Sequence, residues 1–112
     1  MYSQLFSKLK IGEFELKNRL IMAPLFLGYA EKGGKISPLM LDHYQLMAKS
    51  GVAVVVVEAA TIDYPLGCGS EFVIRADTDE NIEGLTVLSA IIKNEGAIAC
   101  LQLNHVGRFL PP

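Results

Sequence analysis

Val52-Ala53-Val54-Val55-Val56-Val57, followed at once by Glu58-Ala59-Ala60, is the stretch that decides the fold. Five of its first six residues are valine, and polar residues do not alternate with apolar ones. A strand with one face in water must alternate, because successive side chains point to opposite sides of the sheet. A continuous β-branched run instead marks a strand covered on both faces, as in parallel sheets packed under helices. Helical patterns flank it. Upstream, Ser37 is placed to cap a helix whose first residue is Pro38, with Met40, Leu41, Tyr44, Met47 and Ala48 on its apolar face and Gly51 closing it. Downstream, Asp77 and Glu80 have the spacing of a capping box. They precede a helix carrying Ile82, Leu85, Leu88 and Ile92, with Lys93 in its last turn and Gly96 after it.

Two further apolar runs complete the pattern. Leu20-Ile21-Met22-Ala23 reads as a buried strand and stops at Pro24, which cannot donate to a ladder. Ala97 to Leu103 is interrupted only by Gln102. Near the amino terminus, Leu9–Ile11 and Phe14–Leu16 flank Gly12-Glu13 as a small hairpin. The order is hairpin, β, α, β, α, β, which predicts an α/β fold with a parallel sheet and right-handed crossovers.

The chain has 112 residues, enough for one compact domain and too few for two. Its ten Lys+Arg against twelve Asp+Glu give a net charge of −2, and the basic residues are scattered. That excludes the basic face that nucleic acid requires and the polybasic patch that an anionic membrane requires. No apolar run approaches the ~20 residues of a membrane-spanning helix. Met1 to Lys10 is too polar for a signal-peptide core, so no secretion is expected. Cys68 and Cys100 lack metal-ligand spacing and are expected to be free thiols in the cytoplasm, with no metal site. A hydrophobic fraction of 51% is high for so small a domain. It implies apolar faces that something beyond these residues covers.

In parallel α/β proteins, ligands bind where loops leave the carboxyl ends of the strands. Here those ends are Ala23-Pro24-Leu25-Phe26, Glu58-Ala59-Ala60 and Gln102 to His105. The loops that follow the first two, Leu25 to Ile36 and Thr61 to Ala76, are far longer than the ~2–6 residues of an ordinary connection. The returns at the opposite end, Ser50-Gly51 and Glu95-Gly96-Ala97, are tight. A ligand site is therefore expected on the long-loop rim. Gly67-Cys68-Gly69 and Gly33-Gly34-Lys35 lack the spacing and context of phosphate loops. Gln102 places a carboxamide in an apolar strand, where it needs partners. Neighbouring backbone could supply them, or a heterocycle with alternating C=O and N–H groups. Glu58 reads as a barrel-interior carboxylate paired with Arg19 or Arg108 rather than as a base, and His105 as an orienting residue rather than a catalytic one.

Leu5-Phe6, Leu9-Lys10-Ile11-Gly12, Leu16-Lys17-Asn18-Arg19, Met22-Ala23-Pro24, Glu58-Ala59, Asp79-Glu80-Asn81-Ile82-Glu83-Gly84 and Leu101-Gln102-Leu103-x-His105-x-Gly107-Arg108 occur in that order. Together they resemble the amino-terminal part of the Old Yellow Enzyme family, in the branch near NADH oxidases and enoate or dienoyl-CoA reductases. The resemblance implies a (β/α)8 TIM barrel of which residues 1–112 supply the hairpin, the first three strands and two helices of one FMN-binding domain. It also implies FMN at the carboxyl rim, NAD(P)H as reductant and an enone or enoate as substrate. By the same resemblance, Ala23, Pro24, Leu25 and Phe26 line the isoalloxazine, Ala60 reaches its pyrimidine edge through backbone, and Gln102 hydrogen-bonds that edge. Phe26 stands where many members place a Thr or Cys, and Gly28 where some place a Tyr. The family's substrate clamp, proton-donating Tyr and phosphate loops would follow later, so no catalytic residue is expected here. The expected partner is the remainder of the barrel, and self-association is expected without it. The alternative is a non-catalytic βα fragment that completes a barrel with another chain.

Overall fold

The computed structural model describes residues 2–110. The expected hairpin is present: β1 (Leu9–Ile11) pairs antiparallel with β2 (Phe14–Leu16). A four-stranded parallel sheet follows, built from β3 (Ile21–Met22), β4 (Val54–Thr61), β5 (Ile74–Arg75) and β6 (Ile98–Asn104). Helix α1 (Pro38–Lys49) connects β3 to β4, and α2 (Ile82–Asn94) lies between β5 and β6. The structure is thus a sector of a βα barrel.

The helix signals worked locally as their chemistry requires. The Ser37 hydroxyl accepts from the Met40 N–H at 3.0 Å, and Pro38 occupies the first turn, where its missing N–H is not needed. The second cap is different. Asp77 does not box with Glu80, because its carboxylate is taken by Arg75 and by the Tyr64 N–H. Thr78 instead accepts from the Glu80 N–H and starts a single 3₁₀ turn, Asp79–Asn81, that leads into α2.

β4 is the centre of the sheet. One edge pairs with β6 along nearly its whole length, from Val54↔Ile98 to Thr61↔Asn104. The other edge is shared: β3 pairs with Val54 and Val55, and β5 with Ala60 and Thr61. The two-residue β5 lies inside what the sequence marks as loop, too short to carry a periodic signal. It takes the place beside β4 that β3 vacates when the chain turns away at Pro24.

Among the described residues, helices cover one face of this sheet and not the other. Val55, Val57, Ala60, Met40, Tyr44, Ala48, Leu88 and Ile92 form the core, with Ala99 and Leu101 packed against it. Side-chain alternation sends Val54, Val56, Ile98 and Cys100 to the opposite face, where Cys100 is exposed. Ile21, expected to be buried, is 52% exposed, and Leu103 is 63% exposed. β3 and β6 each have an edge unpaired by the described residues. Such an edge and such a face recruit other chains. Prepared as these 112 residues, the protein is therefore expected to elute and scatter light as an oligomer rather than a monomer.

Candidate functional site

The sheet register carries an irregularity at the rim. Between Val57↔Leu101 and Ala60↔Leu103, β4 advances three residues while β6 advances two. One extra residue in one strand is a β-bulge, which re-aims side chains at the place where a strand meets a functional rim. Val57 and Ala60 both face the helical core, and Glu58 and Ala59 share the space opposite Gln102.

The two bulge residues part company. Glu58 is fully buried. Its Oε2 accepts from the Leu27 N–H at 3.1 Å, its Oε1 accepts from the Tyr44 hydroxyl at 3.2 Å, and its own N–H donates to the Tyr44 oxygen at 2.8 Å. The expected pairing with Arg19 or Arg108 does not occur, because the bulge turns the carboxylate towards α1. Arg19 bonds Ser7 instead, and Arg108 lies over the Phe109 ring. Burial pushes the Tyr44 phenol well above its ordinary range, so it remains a proton donor to Glu58.

Ala59 opens the other way, into a cleft of about 270 Å³ lined by Phe26, Ala59, Gly69, Ser70, Val73, Asn104 and Val106. The cleft lies at the carboxyl ends of β3, β4 and β6. Of the residues expected at the site, Phe26 is in its wall and is 50% exposed. Ala23, Pro24 and Leu25 lead up to it along the turn out of β3, with Leu25 64% exposed. Gln102 lies on the non-helical face of β6, two residues short of Asn104, exposed and with its carboxamide free of partners among the described residues. Ala60 is placed differently. Its side chain is in the core, and its backbone sits between β5 and β6. Ala59, its neighbour, lies in the cleft wall; a one-residue bulge leaves no mark in an apolar run. Asn104 lies at a strand end expected at the rim, whereas Val106, Ser70 and Val73 were not singled out; nothing in the sequence tells which part of a long loop, here Ser70 and Val73, folds back over a rim.

Two polar clasps hold that loop. Arg75 makes a two-pronged ion pair with Asp77 at 2.9 and 3.0 Å, and its guanidinium lies 4.5 Å from the centre of the Tyr64 ring. At the other side, His105 Nδ1 accepts from the Gly107 N–H, and its Nε2 lies 3.4 Å from the Asp63 carboxylate. His105 thus bridges the Asp63 loop and the turn after β6. Gly67 fits between them with no room to spare: a Cβ there would stand 2.6 Å from the Asp63 carbonyl oxygen and 2.8 Å from the His105 ring. The buried Asn81 amide donates to the Gly34 and Arg75 carbonyls, both at 3.0 Å, and so joins the two rim loops to the start of α2. The described residues contain no cluster of metal-ligating groups, and both cysteines are free. No helix among them is long and apolar enough to cross a membrane.

A parallel sheet under helices, with an apolar cleft and an unpartnered carboxamide at its carboxyl rim, is the arrangement of a βα-barrel rim, the end of such folds at which ligands bind. The chain belongs to the NADH:flavin oxidoreductase / NADH oxidase family, whose profile matches residues 4–111. It is 31% identical over 111 residues to an NADH oxidase of Thermoanaerobacter brockii, an alignment that takes in 99% of this chain and 17% of that protein. Among solved structures, a 2-naphthoyl-CoA reductase in complex with 2-naphthoyl-CoA superimposes with a TM-score of 0.94 at 27% identity, over 99% of this chain and 17% of the other. An Old Yellow Enzyme homologue from Zymomonas mobilis gives 0.87 at 27% identity, over 96% of this chain and 30% of the other. The fold is therefore the amino-terminal part of the Old Yellow Enzyme type of TIM barrel, and the chain spans less than a third of these proteins' length.

The Arg75 guanidinium holds the Asp77 carboxyl below its ordinary value. A carboxyl depressed in the folded state contributes stability that is fully present above its unfolded value, roughly 3.9, and is lost as pH falls through the folded value. The loop clasp is therefore expected to be complete at neutral pH and to loosen only in strong acid. Amide exchange of Tyr64, followed by NMR as pH is lowered, should show protection lost below the usual carboxylate range and unchanged from pH 5 to 8.

Proposed function

We propose that residues 1–112 form the amino-terminal part of one FMN-binding barrel domain. In this reading the complete protein uses NAD(P)H to reduce activated C=C bonds of α,β-unsaturated carbonyl compounds. The observation that carries the reading is the rim itself. Gln102 presents an exposed carboxamide beside the small side chain of Ala59, and Phe26 and Val106 wall an apolar cleft next to it.

That donor set fits an isoalloxazine. The pyrimidine half of the ring alternates carbonyl and N–H groups, which one carboxamide can meet with its own donor and acceptor. The rest of the ring is flat and apolar, matched by Pro24, Leu25 and Phe26. Ala60 is assigned the backbone contact to that edge, with Ala59 beside it in the cleft wall. Bound FMN supplies hydride chemistry between a nicotinamide nucleotide and a substrate, and these residues supply its seat. A Phe at position 26 offers the flavin no side-chain hydrogen bond, so the ring would be held there by packing alone. The 2-naphthoyl-CoA reductase among the similar structures suggests the enoate and thioester side of the substrate class.

The uncovered face formed by Val54, Val56 and Cys100 supports a second reading, a non-catalytic βα unit completed by another chain. An open reading frame past Pro112 carrying the later barrel strands would decide for the first.

In the complete enzyme, Gln102→Ala is expected to weaken FMN binding by about 1–3 kcal/mol, roughly 5- to 150-fold in the dissociation constant. An unchanged constant would count decisively against the assignment. Phe26→Thr and Phe26→Cys are each expected to shift the FMN reduction potential. Potentiometry that detects no shift in either variant would remove residue 26 from the flavin's neighbourhood.

A further inference from the structure

The segment from Ala23 to Leu27 is the wall of the proposed flavin seat, yet it belongs to no strand or helix. β3 ends at Met22, and the next anchored backbone group is the Tyr29 carbonyl, which accepts from the Ser37 hydroxyl. Between those points, the tie among the described residues is the Leu27 N–H to Glu58 Oε2. A carboxylate taken from water is costly, and a well-packed apolar side chain of similar volume serves stability at least as well. Glu58 is nonetheless fully buried, as is Tyr44, the phenol that holds it. Stability alone does not account for that expense; geometry does.

We propose that Glu58 and Tyr44 are positioning residues of the cofactor rim: the Glu58 carboxylate fixes the Leu27 amide, and with it the Pro24–Phe26 wall, while the Tyr44 hydroxyl fixes the carboxylate. This rests on the flavin reading above. The phenol is doubly engaged, donating to Oε1 and accepting the Glu58 N–H, so neither group turns without breaking two bonds. His43 packs edge-on against the Tyr44 ring at 5.1 Å and against Tyr29 at 6.0 Å, which holds the phenol laterally. The line of contact runs from α1, through the bulge of β4, to the turn out of β3. The bulge makes it possible, since it sends Glu58 inward while Ala59 stays at the cleft.

The test compares three variants of the complete flavoprotein: Glu58→Gln, Tyr44→Phe, and Leu88→Ala as a core change on the far helix. For each, the FMN dissociation constant, the visible absorption spectrum and the midpoint potential are measured well below the melting temperature. Glu58→Gln and Tyr44→Phe are expected to raise the FMN dissociation constant by roughly 5- to 20-fold, the range of one or two weakened or lost hydrogen bonds, and to shift the spectrum or the potential. Leu88→Ala is expected to lower the melting temperature alone. If Glu58→Gln does not fold, Tyr44→Phe decides, because it keeps the ring and the carboxylate. Variants that lose thermal stability but keep wild-type constant, spectrum and potential would overturn the proposal while leaving the flavin reading in place. A wild-type protein that takes up no FMN would remove both.

Discussion

One extra residue in the central strand governs the rim. Without the bulge between Val57 and Ala60, strict alternation would place Glu58 on the non-helical face with Val54 and Val56, and Ala59 against the helices. The slip reverses that for both residues. It buries a carboxylate where a phenol and a backbone amide wait for it, and it leaves the smallest chiral side chain at the cleft opposite Gln102. β5 enters the sheet at the same level, pairing with Ala60 and Thr61 just past the slip. The position of the loop that carries Ser70 and Val73 thus follows from it as well.

The high apolar fraction has a structural meaning. The sheet's helical face is sealed by α1 and α2, whereas its other face and both outer strand edges are left open by the described residues. Hydrophobic burial is worth about 25 cal/mol per Å² of apolar area, so a fold that covers one face of its sheet forgoes much of what that face could contribute. The aligned relatives are more than three times as long as this chain. In a closed barrel the same valines become interior.

Much of this architecture was legible from residue patterns. The valine run, the Ser37-Pro38 start and the glycine stops are local signals backed by strong local physics, and each element formed where they placed it. Strand limits moved by one to four residues, because a ladder ends where its partner ends: β4 reaches Thr61 since β5 and β6 meet it there. The strand ends that form the candidate rim were legible, with Phe26 in the cleft wall and Gln102 on the adjoining strand face, but the direction in which each residue faces was not. Ala59 and Ala60 are chemically identical, and only register distinguishes them. Asp77 illustrates the same limit, since a capping-box spacing cannot show that Arg75 has already claimed the carboxylate.

Asn81 has a consequence for how this rim can change over evolutionary time. Its amide gathers carbonyls from Gly34 and Arg75, one from each long loop, and the Arg75 N–H returns a bond to the Gly34 carbonyl. Gly34 sits at φ +72°, with a Cβ position only 2.6 Å from the Arg75 backbone nitrogen. The two loops are therefore stitched to each other at their bases. Gly34 to Ser37 and Ile74 to Asn81 would hold constant length, and insertions or deletions would fall elsewhere in the two loops. Diversification in one loop could then proceed without forcing a compensating change in the other.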